Sequence, residues 1–139
     1  MREVKRIGVV GAGVMGKGIA YQSAVSGFQT VLYDANPEAT EKALQQIDSL
    51  VKRQVEKGFL SPEQGEQVLP RIQAVDSLEH FRDCDFVIEA VVEDLDVKQD
   101  VFRKLDSLCA SDVVLATNTS AKSITEIASA ASDPTRVCG

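Results

Sequence analysis

The stretch Gly11-Ala12-Gly13-Val14-Met15-Gly16 constrains this chain more than any other, because of what stands on either side of it. Val4 to Val10 is a β-branched run that stops at the first glycine, and Val14 to Ser26 carries helix formers up to Gly27, a natural residue for the position just past a helix. Phe28 to Tyr33 reads as a second strand, and Asp34 stands at its end, 18 residues after Gly16. G-x-G-x-x-G between a strand and a helix, with an acid after the next strand, is the signature of a dinucleotide site. Gly11 permits the tight turn, Gly13 lets the backbone around Ala12, Val14 and Met15 approach a pyrophosphate, and Gly16 lets helix and strand pack closely. The helix start offers unpaired N–H groups and about half a positive charge to the phosphates. Asp34 accepts hydrogen bonds from the adenine-ribose hydroxyls in such a site and repels a 2′-phosphate, which favours NAD over NADP; no Arg or Lys stands in Ala35-Asn36-Pro37. Gly18 is expected to serve close packing and Lys17 to be a solvated lysine. The competing reading of the same residues is a plain strand-to-helix turn with Asp34 as a turn residue.

From Pro37 the pattern turns helical: Ala43, Leu44, Ile47, Leu50, Val51 and Val55 recur at spacings of three and four as far as Gly58. Ser61-Pro62-Glu63-Gln64 matches a capping box with proline at the first helical position, opening a short helix that Pro70 stops. Arg71 to Val75 is a weak third strand. Asp85 to Val92 is a strong fourth, apolar but for Glu89, as suits a strand covered on both faces. Asp94 to Ala110 reads as a helix striped by Leu95, Val101, Phe102, Leu105 and Leu108, with Val97 off the centre of the stripe. Asp112 to Thr117 is a fifth strand, Ser123 to Ala131 a short helix, and Arg136-Val137-Cys138 the opening of a sixth strand. This alternation predicts an α/β fold: a doubly wound parallel sheet of Rossmann type with a helical hairpin inserted after the second strand, in one domain spanning residues 1–139.

Composition removes other classes. The chain of 139 residues is 44% apolar and 26% charged, enough for a real core. Against 15 Lys and Arg stand 21 Asp and Glu, and a net charge of −6 opposes a nucleic-acid or anionic-membrane partner. No apolar run approaches the ~20 residues of a membrane span, and the glycine-punctuated start is unlike a signal peptide, so a cytoplasmic location is expected. Cys84, Cys109 and Cys138 form no CxxC pair and His80 is the only histidine, which argues against a disulfide framework and against a metal site.

The segments GAGVMGKGIA, YDAN, the long helical insertion, EAVVEDLDVKQDVF and NTSAKSIT occur in an order that resembles the N-terminal NAD-binding domain of the L-3-hydroxyacyl-CoA dehydrogenases, the 3-hydroxybutyryl-CoA enzymes included. The resemblance covers essentially the whole chain. It implies an oxidoreductase of fatty acid metabolism and β-oxidation that interconverts (S)-3-hydroxyacyl-CoA and 3-ketoacyl-CoA by hydride transfer to NAD, with an acyl-CoA substrate and a homo-oligomeric state. It implies that Glu93 and Lys98 contact the nicotinamide half of the cofactor together with Asn118 and Ser120, and that Ser120 is catalytic, its hydroxyl bonding the substrate's 3-oxygen and the nicotinamide ribose. It implies that Lys57, in the basic stretch with Lys52 and Arg53, meets the CoA phosphates. On the residues alone, Glu93 and Lys98 read as a solvated pair, Asn118-Thr119-Ser120 as an N-cap cluster, and the basic stretch as a solvated face.

In that family a histidine downstream of the serine is the general base, and an orienting glutamate and a C-terminal helical domain follow it. This sequence runs to Gly139 without them, and His80 is expected to lie away from the strand ends that carry the site. A base of that kind is worth about 10²–10⁴-fold, so the expectation is a chain that binds cofactor and turns over little or nothing. A free-standing NAD-binding module and the cofactor domain of another hydroxy-acid dehydrogenase remain as alternatives, with the helical hairpin favouring acyl-CoA over the latter. A sheet ending at its sixth strand leaves the side of the fifth incompletely covered, which predicts weak self-association.

Overall fold

Apolar residues alternate along the strands and so supply two buried faces at once. In the computed structural model, which describes residues 3–91, 94–117 and 137–138, they form a six-stranded sheet in the order β3-β2-β1-β4-β5-β6, every neighbouring pair parallel. The strands are β1 (Arg6–Val10), β2 (Gln29–Tyr33), β3 (Ile72–Val75), β4 (Phe86–Glu89), β5 (Val114–Thr117) and β6 (Val137–Cys138). The helices are α1 (Val14–Val25), α2 (Pro37–Glu56), α3 (Pro62–Val68) and α4 (Leu95–Leu108). Ile7 and Val9 of β1 and Leu32 of β2 pack with Ala20 and Ala24 of α1, Ile47 and Val51 of α2, and Val68 of α3. Val10, Val31, Val87 and Leu115 bury on the opposite face with Val101, Phe102 and Leu105 of α4. A period of two feeding both faces makes the strands look continuously apolar, and it gives the doubly wound sheet its two layers of helix.

Local chemistry sets the helix ends where the sequence predicts them. Gly27 takes φ +98° just past α1, and Asn36 caps α2 by accepting from the Glu38 N–H, with Pro37 at the first position. Ser61 and Gln64 complete a reciprocal capping box at α3, the donors lying 3.1 and 2.9 Å from their acceptors. Arg71 then ties the hairpin to the end of α1, donating to the Ala24 carbonyl at 2.8 Å. A guanidinium at a helix C-terminus also meets the negative end of its dipole.

Two features depart from expectation. Gly18 is exposed, and a Cβ there would meet nothing within 4 Å, so close packing does not require it. Between β3 and β4 a 3-10 segment, Leu78–Asp83, is capped by Ser77 and drives Phe81 to full burial. Its ring lies against Gly8 in β1, where a Cβ would stand 2.5 Å from the ring, and edge-on to Tyr33. The short helix expected over Ser123 to Ala131 lies outside the described residues. No helix among the described residues is long and apolar enough to cross a membrane.

Cys84 and Cys109 are buried in the α4-side core, while Cys138 is exposed. Burial pushes the Cys84 thiol from 9.0 up to about 12, with Cys109 close by adding to the rise. The folded chain thus keeps a proton that the unfolded chain releases near pH 9. Cys84's contribution to stability is therefore complete below that pH and declines above it, by about 1.4 kcal/mol per pH unit toward the folded value. Urea midpoints taken from pH 8 to pH 10.5 are expected to fall more steeply for the wild type than for Cys84→Ala. Parallel declines would show that this thiol does not govern alkaline stability.

Candidate functional site

In an open parallel sheet the ligand crevice lies beyond the carboxyl ends of the strands, where the strand order reverses. Here that point lies between β1 and β4, whose last residues, Val10 and Glu89, are register partners. A cavity of about 760 Å³ opens there, lined by Gly11, Gly13, Asp34, Ala90, Val91, Val97 and Val101 among others. Its walls are the glycine turn, the end of β2 and the first turns of α4.

The three glycines do three different things. Gly11 has φ +106°, and a Cβ on it would lie 2.6 Å from the Ala90 carbonyl oxygen, so the turn runs directly against the loop after β4. A Cβ on Gly16 would collide with the Gly11 carbonyl oxygen, so helix and turn are in backbone contact. Gly13 is exposed, with nothing within 4 Å of where its Cβ would stand. The glycine expected to face a pyrophosphate is thus the one of the three with open space where a side chain would stand. Gly13 caps α1 with no side-chain bond, the first turn holds no acid, and Lys17 N–H already bonds the Gly13 carbonyl. The N–H groups ahead of Lys17 lack intrahelical acceptors, so the positive helix end meets the cavity with no acid in its own first turn. Such a cradle fits a pyrophosphate.

Asp34 locks this loop to the end of β2. Its two carboxylate oxygens accept from the Ala12 N–H and the Asn36 N–H, each at 2.8 Å, while Gly11 N–H donates to the Tyr33 carbonyl at 2.7 Å. The side chain lines the crevice. Val14 and Met15 are largely exposed beside the loop. Lys17 donates to Gln46 of α2 at 2.8 Å, away from the phosphate cradle.

The 3-hydroxyacyl-CoA dehydrogenase NAD-binding domain model matches residues 6–139. The chain belongs to that family. NAD is the family's cofactor, and the glycine turn followed by Asp34 at the end of β2 has the features of a dinucleotide site. A probable 3-hydroxybutyryl-CoA dehydrogenase of Bacillus subtilis is 42% identical over 99% of this chain and 48% of its own length. A fatty acid oxidation complex subunit alpha of Idiomarina loihiensis is 37% identical over 99% of this chain and 19% of its own. The crystal structure of 3-hydroxybutyryl-CoA dehydrogenase from Escherichia coli K12 superposes with a TM-score of 0.94 at 38% identity, covering 98% of this chain and 29% of that one. The chain thus spans about half, or less, of the length of these dehydrogenases.

Within this NAD-binding domain, Gly11, Ala12, Gly13, Gly16 and Asp34 come together as the sequence predicts. Glu93, Asn118, Thr119 and Ser120 lie outside the described residues. Lys98 is buried, its ammonium 2.9 and 3.2 Å from the two oxygens of Glu89, a residue that sequence reasoning noted only as a break in an apolar run. Glu89 also accepts from the Val91 N–H and the Thr117 hydroxyl, each at 2.6 Å. A lone carboxylate ending a strand covered on both faces was the available signal for it. Val97, off the stripe of α4, is 41% exposed and lines the crevice, which accounts for its displacement. His80 departs from expectation: paired with Asp76 at 3.5 Å, it lines a smaller cavity with Asp34 and the end of β3. It therefore stands beside Asp34 on the β2–β3 side of the sheet. Lys57 is exposed at the far end of α2, about 30 Å by helical rise from the Asp34 end, and joins none of these residues.

Proposed function

We propose that this domain serves an NAD-dependent dehydrogenase that interconverts (S)-3-hydroxyacyl-CoA and 3-ketoacyl-CoA, and that it holds the cofactor in one defined orientation. The observation that carries the reading is the Asp34 carboxylate, bonded to Ala12 N–H beneath a glycine whose Cβ position is open to the cavity. Asp34 fixes the adenosine ribose, and the N–H groups at the start of α1 hold the pyrophosphate. Ala35, Val91, Val97 and Val101 give the adenine an apolar wall, three of them carried by the segment from the end of β4 into α4. That assignment sends the nicotinamide end toward β4 and β5, to Lys98, Glu93 and Asn118. NAD, when bound, accepts the hydride of the substrate's 3-carbon. Ser120, following β5 in the sequence, orients that carbon by hydrogen-bonding the 3-oxygen and the nicotinamide ribose, so the domain contributes position more than proton transfer. Lys57, with Lys52 and Arg53, meets the CoA phosphates from the helical hairpin. With His80 tied to Asp76 on the adenosine side, the 139-residue chain by itself binds cofactor without appreciable turnover.

Calorimetric titration of the chain with NADH and NADPH at one salt concentration tests the reading, with circular dichroism to establish folding. Micromolar binding of NADH and at least about tenfold weaker binding of NADPH are expected, from the carboxylate facing the 2′ position. Equal affinities, or no binding by a folded chain, would overturn it.

A further inference from the structure

Along α4, Asp96, Asp100 and Lys104 recur at spacings of four and line the crevice beside Val97 and Val101, so one face of the helix carries a polar row next to an apolar strip. The Lys104 ammonium lies 3.1 Å from an Asp100 carboxylate oxygen, and both side chains are more than half exposed. A pair of that kind on a helix surface adds little to the fold. Its place says more. Tyr33, Leu78 and Lys104 line both the crevice and the next cavity along, between the 3-10 segment and α4, so they mark the end of the crevice away from the glycine turn. A dinucleotide with its pyrophosphate on the turn and its ribose at Asp34 brings its base to that end. Leu78 is held there: it opens the 3-10 segment that Ser77 caps and buried Phe81 anchors, and Tyr33 meets the Phe81 ring edge-on at 6.5 Å. Leu78 and the valines of α4 offer a flat ring apolar contact, and Asp100 and Lys104 offer its edge an acceptor next to a donor.

We propose that Asp100, held by Lys104, reads the amino edge of the cofactor's base, so that the site selects an aminopurine dinucleotide over an oxopurine one. The proposal rests on the NAD reading above and adds to it how the base is recognised. An acceptor next to a donor is the complement of adenine, whose amino group donates beside a ring nitrogen that accepts. Asp100 accepts from the amino group, and Lys104 donates to the neighbouring nitrogen. A base such as hypoxanthine carries an oxo group where adenine has its amino hydrogens, and the carboxylate repels it. The ion pair sets the carboxylate at the rim before any cofactor arrives, which lowers the ordering cost of the contact. Asp96 belongs to the same row but stands a turn nearer the start of α4, toward the end of β4 and away from the base.

The test is a calorimetric titration of the chain with NADH and with reduced nicotinamide hypoxanthine dinucleotide, which carries an oxo group in place of the amino group of the base. The wild type is expected to prefer NADH about fivefold, a modest figure because the rim is open to water. Asp100→Asn, whose amide can accept from an amino group or donate to an oxo group, is expected to bring the two affinities within about twofold of each other. Asp96→Asn removes the same charge from the same helix face and is expected to keep the wild-type preference. A loss of folding or of general affinity weakens both dinucleotides together, so the ratio reports the base contact alone. Equal binding of the two by the wild type, a preference that survives Asp100→Asn, or one that Asp96→Asn abolishes as well, overturns the proposal. Failure of the folded wild type to bind either dinucleotide would instead overturn the NAD reading.

Discussion

Gly16→Ala is expected to abolish measurable NADH binding and to destabilise the chain by about 3 kcal/mol, near the upper end of what overpacking costs. The added Cβ would be driven into the carbonyl oxygen of Gly11, and both atoms belong to backbone that has nowhere to go. Gly11 is held from one side by its own N–H on the Tyr33 carbonyl and from the other by the Ala90 carbonyl against its Cα. Relief of the clash must come from pushing the start of α1 outward, and Gly13 and the N–H groups of the phosphate cradle move with it. Gly18→Ala, two residues further along the same helix, is the matched control. Its Cβ enters open space, so it is expected to leave binding unchanged and to gain about 0.5–1 kcal/mol from helix propensity. Urea midpoints and NADH titrations of the two variants decide the matter. Similar behaviour of the two would mean that contact between α1 and the turn does not organise the site.

The same pair of glycines marks what can and cannot be read from sequence. Gly11, Gly13 and Gly16 were legible because each answers a backbone requirement fixed by the neighbouring strand and helix. Gly18 was misjudged because packing against it depends on which face of α1 meets the sheet, and α1 is nearly uniform in hydrophobicity, with only Gly16, Ala20, Ser23 and Ala24 buried. The parallel, doubly wound sheet followed from alternation, and the starts of α2 and α3 from Asn36-Pro37 and Ser61-Pro62. The 3-10 segment at Leu78–Asp83 escaped notice because it is one short apolar anchor, Phe81, among polar residues with no period to detect. Glu89 is the instructive case. Its partners Lys98 and Thr117 lie 9 and 28 residues away, joined only once α4 folds back on β4 and β5 pairs beside it. Neighbourhoods of that kind arise from topology and leave no local trace.

Asp34 is expected to show two separable roles when replaced by alanine and by asparagine. The carboxylate bridges Ala12 N–H and Asn36 N–H before any ribose arrives, so part of its value is to hold the glycine loop in its binding shape. Asp34→Ala leaves both N–H groups without that acceptor. It is expected to weaken NADH by about a hundredfold, two charge-assisted hydrogen bonds to the ribose being lost together with the loop's tether. Asp34→Asn keeps one acceptor oxygen and most of the shape, so its loss for NADH is expected nearer tenfold. The difference lies in NADPH: with the negative charge removed, the repulsion of a 2′-phosphate disappears in both variants, and the gap between the two cofactors is expected to close. Titrating each variant with both cofactors separates the roles. The ratio of NADPH to NADH affinity reports the charge and should change alike in the two variants, whereas the absolute NADH affinity reports the tether and should differ between them. A discrimination that survives Asp34→Asn would place the selectivity elsewhere, most directly in the acidic residues near the end of β3, where Asp76 lines the cavity beside Asp34.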